Sequence, residues 1–133
     1  MTRLAQESDD REAKKIADQH RNEFGFIPMS VFSESASKGC LAVAISNNLV
    51  VGFIRWHLRL DGVSTIYEVC VDPSYRRRGI GTELIKSIQQ YSGPIRLKCP
   101  VHLDANQFYA AIGFKHQETL KGKRHPLNVW SST

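Results

Sequence analysis

The spacing of apolar residues divides the chain into a helical part and a sheet-forming part. In residues 10–23, apolar side chains recur every three or four positions, which predicts an amphipathic helix with Asp9 as its N-cap and Glu12 completing a capping box. His20 falls on the apolar stripe of this helix and is predicted to be a packed histidine. A short strand is expected before the helix and a second short helix after Pro28, so the first part of the chain is predicted to be mainly helical.

From Cys40 onwards the apolar residues mostly follow the period of a sheet. Three antiparallel strands and their two turns are predicted first: residues 41–45, Asn47-Asn48, residues 49–60, Asp61-Gly62 and residues 63–71. In the second of these strands, Trp56, Leu58 and Leu60 are expected on the apolar face. These three strands form the predicted centre of the fold.

A helix and a further strand follow. The apolar face of the helix is predicted to consist of Leu84, Ile85, Ile88 and Tyr91. The helix is expected to stop at Ser92-Gly93-Pro94. A strand at residues 95–99 comes next, and a strand-helix-strand connection of this length predicts parallel pairing with the strand at residues 63–71. A short helix around Phe108 and two more strands complete the pattern. The predicted fold class is α/β, with a mixed, mostly antiparallel central sheet of six to seven strands flanked by about four helices.

Residues 68–84 combine an apolar strand, a basic turn and an amphipathic helix. The first turn of a helix has backbone N–H groups without partners, and these carry the positive end of the helix dipole. Gly79 and Gly81 allow the backbone to approach a diphosphate closely, and the arginine run at residues 76–78 adds positive charge around it. An arginine run alone is more typical of a solvated face or a nucleic-acid patch, but glycines between a strand and a helix favour an anion-binding loop.

Two common nucleotide loops do not match this turn. A dinucleotide fingerprint needs a third glycine at position 84, which is leucine, and a triphosphate P-loop needs four residues between its glycines and then Lys. The segment Arg76-Arg77-Arg78-Gly79-Ile80-Gly81 instead resembles the acyl-coenzyme A (CoA) loop of the GCN5-related N-acetyltransferase (GNAT) superfamily, Gln/Arg-x-x-Gly-x-Gly/Ala, at every specified position.

A second segment carries the same resemblance. Phe108-Tyr109, followed after three residues by Gly113-Phe114, resembles the GNAT helix that packs beside CoA. Val71-Asp72-Pro73 before the loop is also typical of the family, and the resemblance covers residues 40–130. One departure is His102, which stands where many members carry an asparagine seven residues before the tyrosine.

The resemblance implies a GNAT fold with acetyl-CoA as cosubstrate. It also implies transfer of the acetyl group to a primary amine by direct attack in a ternary complex. Tyr109 is the implied general acid for the departing thiolate. The implied cofactor-binding residues are Val69, Val71, Arg76, Arg77, Arg78, Gly79, Ile80, Gly81, Thr82 and Asn106.

Glu68 is the candidate base. An ammonium group has no lone pair, so acyl transfer to an amine needs a proton acceptor, and Glu68 is the only carboxylate inside the predicted central strands. Strand alternation does not say which face Glu68 takes, so a solvent-facing glutamate is an open alternative, as is a core tyrosine for Tyr109. The serines and cysteines lack a recognisable adjacent base in sequence, which argues against a covalent acyl-enzyme.

Composition narrows the remaining classes. The chain has 133 residues, 41% hydrophobic and 23% charged, which predicts one soluble N-acetyltransferase domain over residues 1–133. The apolar runs are too short to span a bilayer and no signal core is seen, so a cytoplasmic protein without a membrane partner is expected. Cys40, Cys70 and Cys99 are widely spaced and suit free thiols better than disulfides or a zinc site, so no metal is expected.

The acceptor stays open at the level of sequence. A small-molecule amine, a protein amine and the amino group of an aminoacyl-tRNA all fit, so nucleic acid enters only as the tRNA that carries an acceptor. The net charge of +5, with part of the excess in Lys121, Lys123 and Arg124, mildly favours an anionic acceptor. The chain is expected to be a monomer or a homodimer. The alternative class is a non-catalytic acyl-CoA-binding module or a nucleic-acid-binding protein on the same scaffold.

Overall fold

Seven strands and five α-helices make up the part of the chain that the computed structural model describes, residues 1–89 and 93–133. The strands are β1 (Thr2–Leu4), β2 (Leu41–Ser46), β3 (Leu49–Leu58), β4 (Ser64–Val71), β5 (Ile95–Pro100), β6 (Lys115–Leu120) and β7 (Leu127–Ser131). The helices are α1 (Asp9–Asp18), α2 (Arg21–Phe24), α3 (Met29–Ser37), α4 (Ile80–Gln89) and α5 (Ala105–Ala111), with a 3₁₀ turn at Pro73–Tyr75. The predicted α/β class is confirmed.

The strands form one mixed sheet in the order β1-β2-β3-β4-β5-β7-β6. Neighbouring strands pair antiparallel except β4 and β5, which run parallel as the strand-helix-strand connection predicts. Asn47 and Asn48 both have positive φ, 51° and 64°, which is the conformation of a two-residue hairpin turn between β2 and β3. The three central antiparallel strands are therefore confirmed together with their first turn.

Helices cover both faces of the sheet. On one face, α4 packs over a core that continues to α5, and on the other face α1 and α3 pack over β2 and β3. The first core includes Ile54, Trp56, Ile66, Leu84, Ile85 and Ile88, and the second includes Ala13, Ile16, Ala17, Phe32, Leu41 and Phe53. The predicted apolar face of α4 is confirmed at its three leading residues, whereas Tyr91 and Ser92 lie outside the described residues.

The N-terminal helix differs from its prediction. The helix expected over residues 10–23 is two helices, because the chain leaves helical geometry at His20, whose φ and ψ are −121° and 31°. Ser8, not Asp9, is the N-cap, and the Asp9 carboxylate instead accepts hydrogen bonds from the Gln6 backbone N–H at 2.8 Å and from Arg3 at 3.1 Å. The break gives α2 a direction of its own, which periodicity alone did not indicate.

The apolar alternation expected in the second central strand holds for only part of its length. Trp56 is buried, but Leu58 and Leu60 are exposed. The cause is that β3 ends at Leu58 and the chain then turns, with the Gly62 N–H donating to the Arg59 carbonyl at 3.0 Å. Leu60 lies at the tip of this turn.

A bulge in β4 decides which face its side chains take. Arg55 pairs with Glu68 while Trp56 pairs with Ile66, so Tyr67 is one extra residue in the ladder. Ile66 and Val69 therefore both contact the α4 side, and Cys70 joins the core under α1 and α3.

The parallel pair β4–β5 holds for only three residue pairs, from Ser64–Ile95 to Ile66–Leu97. Beyond them β5 continues beside β7 up to Pro100, while residues 67–71 of β4 have no ladder partner on that side. The bulge at Tyr67 lies where the strands separate, and bulges increase local twist. The separation opens a gap at the middle of the sheet.

Within the described ranges, no helix is both long enough and apolar enough to cross a membrane.

Candidate active site

A cleft of about 860 Å³ opens where β4 and β5 separate, a size suited to a small-molecule or cofactor ligand. Its walls come from four elements that are distant in sequence: α2, the end of β4, the loop into α4, and the β5–α5 segment. The predicted site residues that line it are Val69, Val71, Arg76, Arg77, Gly79, Ile80, Gly81, Thr82 and Tyr109. The structure thus brings most of the predicted site together, but Glu68, Arg78 and Asn106 do not line this cleft.

The loop before α4 presents unpaired backbone donors to the cleft. In the described chain, the backbone N–H groups of residues 79–82 donate no hydrogen bond to a protein acceptor. Arg77 and Gly79 both have positive φ, 64° and 77°, which turns the chain sharply into the helix. A Cβ on Gly81 would lie 3.2 Å from Cζ of Phe108, so a glycine there keeps α4 close to α5. Free N–H groups at a helix start with Arg76 and Arg77 beside them are features that suit an anion.

A hydrogen-bonded chain joins this loop to α2. Arg76 Nη2 lies 3.1 Å from His20 Nε2, and His20 Nδ1 lies 3.4 Å from Cys70 Sγ. Because a guanidinium only donates, Nε2 must accept, so the proton of a neutral His20 is on Nδ1 and points at the Cys70 sulfur. His20 is buried, as its apolar position predicted, but its ring also forms part of the cleft wall.

Cys70 is a neutral thiol in this setting. Burial raises the pKa of the Cys70 thiol to about 12, with the Glu23 charge acting in the same direction. A thiol that holds its proton so tightly is a poor nucleophile at neutral pH. Cys70 therefore has the properties of a packed thiol in the cleft wall, as expected from the sequence.

Tyr109 lines the cleft from α5. Its ring is buried beside the rings of Phe108 and Phe114, and in residues 1–89 and 93–133 nothing hydrogen-bonds to its hydroxyl. Burial holds the pKa of the Tyr109 phenol well above its usual range, with smaller contributions from Cys99, Glu23 and Cys70. The hydroxyl is therefore a protonated donor without a protein acceptor.

Glu68 has a different environment from the one its predicted role needs. Its two carboxylate oxygens accept from Arg55 Nε at 2.7 Å and Arg55 Nη2 at 2.8 Å, and the Arg55 guanidinium lies over the Tyr67 ring. A bidentate pair of this kind is strong and directional. The structure thus places the predicted base in an ion pair between β3 and β4, and its role as proton acceptor stays a prediction.

The Asn106 side chain forms hydrogen bonds within the protein through both its amide nitrogen and its oxygen. Its amide donates to the backbone carbonyls of Pro100 and Leu103 at 2.8 Å, and its Oδ1 accepts from Asn128 at 3.1 Å and from Trp130 Nε1 at 2.9 Å. These bonds hold the β5–α5 turn against β7. Other residues of this turn line the cleft, among them His102, whose ring centroid lies 4.4 Å from that of His125.

Glu23 is a cleft residue that sequence analysis did not select. It lies on α2, and its charge raises the pKa values of Tyr109, Cys70 and Cys99, so it acts on groups from α5, β4 and β5. No pattern in the sequence indicates this position, because it depends on the helix break at His20. The helix break at His20 is the feature that would have indicated Glu23, and the sequence pattern did not predict it.

The family of the chain follows from a direct comparison. Residues 37–116, more than half of the chain, match the family model described as "Acetyltransferase (GNAT) domain". The chain belongs to this family, in agreement with the motifs in the α4 loop and in α5.

Similar proteins agree with this assignment. An uncharacterized N-acetyltransferase of Methanocaldococcus jannaschii is 34% identical over 88 residues, which are 57% of this chain and 39% of the relative. The chain therefore matches well under half the length of that relative.

Solved structures share the fold. NAA60 of Arabidopsis thaliana, in complex with a bisubstrate analogue, superposes with a TM-score of 0.82 at 20% identity, covering 98% of this chain and 95% of that one. A Mycobacterium tuberculosis protein in complex with CoA superposes with a TM-score of 0.76 at 22% identity, covering 93% and 77%. At these identities the likeness is one of fold.

Proposed function

We propose that this chain transfers an acetyl group from acetyl-CoA to a primary amine. The observation that carries the proposal is the separation of β4 from β5, which aligns three features along one cleft. Two of these are the N–H groups at the start of α4 and the hydroxyl of Tyr109, which have no hydrogen-bond partner among the described residues. The third is the free edge of β4.

The two ends of the cleft suit the two ends of an acyl-CoA. The α4 loop with Arg76 and Arg77 has the donors and charge for a diphosphate. The free backbone edge of β4, at Val69 and Val71, suits the amide groups of the pantetheine arm, since an extended amide chain can pair with an open strand. The binding of CoA by a structural neighbour supports this arrangement.

Tyr109 is proposed as the general acid. When an amine attacks the thioester carbonyl, a C–N bond forms and the C–S bond breaks, and the departing thiolate takes a proton from the phenol. The raised pKa of Tyr109 keeps that proton in place until the thiolate develops. Direct attack needs both substrates together, and the bisubstrate analogue bound by NAA60 supports a ternary complex.

The acceptor is proposed only as a class, an amine of a small molecule, a protein or an aminoacyl-tRNA. The test is to incubate the protein with acetyl-labelled CoA and a panel of polyamines, free-amine hexapeptides and charged tRNA, and to detect acetylated products by mass spectrometry. The same panel with its amines already acetylated is the control. We expect amine-dependent product and a melting temperature that rises with acetyl-CoA far more than with NAD or ATP.

Stabilisation by acetyl-CoA without acetylation of any amine would contradict the enzyme and favour a binding module. Equal stabilisation by all three nucleotides would instead show that the α4 loop is a general phosphate patch.

A further inference from the structure

We propose that Glu23 binds the ammonium group of the acceptor and takes its proton. This inference rests on the proposed function and extends it, because it names the acceptor subsite and the charge that the subsite accepts. The class of substrate that follows is an aliphatic amine that reaches the site protonated at neutral pH.

The position of α2 is fixed from the cofactor side of the cleft. The His20 carbonyl accepts the backbone N–H of Glu23 at 3.0 Å, so His20 forms the first turn of α2. The His20 ring is in turn held by Arg76 at 3.1 Å and by Cys70 at 3.4 Å. Glu23 is therefore attached, through one buried histidine, to both the α4 loop and β4.

The Glu23 carboxylate is available for a ligand. Among the described residues, nothing pairs with it or hydrogen-bonds to its oxygens, in contrast to Glu68, which Arg55 holds with two bonds. Asp104 is the other carboxylate in the cleft wall, but it does not act on the pKa of Tyr109. Glu23 thus combines exposure to the cleft with electrostatic contact to the predicted general acid.

Several charged or titratable groups lie around Glu23 and determine the electrostatic potential at its carboxylate. Arg21 lies on its own helix and is paired with Asp18 at 3.5 Å. His20 lies in the first turn of the same helix. The groups from the other walls of the cleft are Cys70, Tyr75, Arg76, Arg77, His102, Asp104 and Tyr109, and Cys99 of β5 is also within the electrostatic reach of Glu23. The thiols and the Tyr109 phenol are neutral because their pKa values are raised, so they neither compensate the carboxylate nor repel an ammonium group.

The proton balance of the transfer is complete with these groups. Glu23 takes one proton from the ammonium, and the freed lone pair forms the C–N bond. The C–S bond breaks, the thiolate takes the proton of Tyr109, and the second proton lost from nitrogen returns to Tyr109. Glu23 then releases its proton to water, so acetyl-CoA and an ammonium give an amide, CoA thiol and one proton.

The test compares Glu23→Gln, Glu23→Asp and Glu68→Gln with the parent, using whichever acceptor of the panel gives the most product. Glu7→Gln is the matched control, since Glu7 is exposed and lies away from the cleft. We expect Glu23→Gln to lower kcat/KM about 10²-fold at pH 6.5 and by less than about tenfold at a pH above the pKa of the acceptor amine, which then loses its proton unaided. That pKa is about 8 for an α-amino group and about 10.4 for an alkyl amine such as that of lysine, so the pH series extends past the value of the acceptor used. Glu23→Asp should retain part of the activity, and calorimetry should give an unchanged Kd for acetyl-CoA.

Three results would overturn the inference. An unchanged rate in Glu23→Gln, with an active parent, would exclude Glu23. A loss of the same size at all pH values would show a positioning effect without proton transfer. A pH-dependent loss in Glu68→Gln alone would assign the base to Glu68. If the parent acetylates no amine at all, the proposed function itself fails, which is a separate outcome.

Discussion

At the scale of single residues, burial raises the pKa of the Tyr109 phenol. The phenol keeps its proton because its pKa lies above the usual range, and within residues 1–89 and 93–133 its hydroxyl has no hydrogen-bond partner. We predict that Tyr109→Phe lowers kcat about 10²-fold, the lower end of what general acid catalysis contributes. Acetyl-CoA should still bind within a few-fold of the parent, because the ring packing against Phe108 and Phe114 is kept.

Steady-state rates and calorimetry must be measured on the same preparation of this variant. If binding and kcat are both unchanged, Tyr109 is not the acid, and the thiolate leaves unassisted or takes a proton from water. Loss of both would show only that α5 or the cleft has been disturbed.

Glu68 and Glu23 are the same residue type but differ in their hydrogen-bond partners, and these partners decide whether the carboxylate is available to a ligand. Glu68 has the sequence position expected of a base, but Arg55 binds both of its oxygens. Glu23 has no distinguishing sequence context, yet its carboxylate is unpaired among the described residues and lines the cleft. A proton acceptor needs an oxygen without a partner, and only the folded chain shows which carboxylate has one.

At the scale of elements, the start of α4 depends on backbone conformation. Gly79 has φ of 77°, and a Cβ there would meet nothing within 4 Å, so Gly79→Ala causes backbone strain without a clash. We expect a loss of stability of about 1 kcal/mol, since an L-residue in this region is strained. The Kd for acetyl-CoA should rise about tenfold, because relaxation of the loop moves the unpaired N–H groups away from the diphosphate.

Gly39→Ala is the matched control for this prediction. Gly39 has φ of 70° and equally open surroundings, but it lies between α3 and β2, away from the cleft. Its substitution should lower stability by a similar amount in urea unfolding and leave acetyl-CoA binding unchanged. Equal weakening of binding in both variants would mean that the effect is general destabilisation.

At the scale of the whole molecule, protons held in the core link stability to pH. Burial raises the pKa of Cys70 from 9.0 to about 12 and that of Cys99 to about 11, and it also raises the pKa of Tyr109. The folded state binds these protons more tightly than the unfolded chain does. Their contribution to stability is therefore complete below about pH 9 and is lost as pH rises towards 11 and 12.

We predict that the free energy of unfolding in urea falls between pH 7.5 and 10.5, by about 2 kcal/mol for Cys70 alone. Cys70→Ala should give a flatter dependence over this interval, whatever its stability at pH 7.5. Parallel pH curves for the parent and the variant would show that Cys70 does not carry the effect.

The sequence by itself determined those strands, turns and helix faces that depend on residues close together in the chain. The three strands between Leu41 and Val71, the turn at Asn47-Asn48 and the apolar face of α4 appear in the structure as predicted, apart from the alternation at Leu58 and Leu60. Gly79 and Gly81 lie in the wall of the cleft. Each of these features depends on residues close together in the chain, through side-chain alternation, positive φ or the free N–H groups of a helix start. The family motifs lie in these same local segments, which is why the α4 loop and Tyr109 were found.

Only the tertiary structure decided how these elements meet. The extra residue at Tyr67 and the early separation of β4 from β5 open the cleft, and the break at His20 brings Glu23 to it. The ion pair of Glu68 with Arg55 and the hydrogen bonds from β7 to Asn106 also join distant parts of the chain. Such contacts depend on the register, twist and packing of several elements at once, and a local pattern of residues carries no information on them.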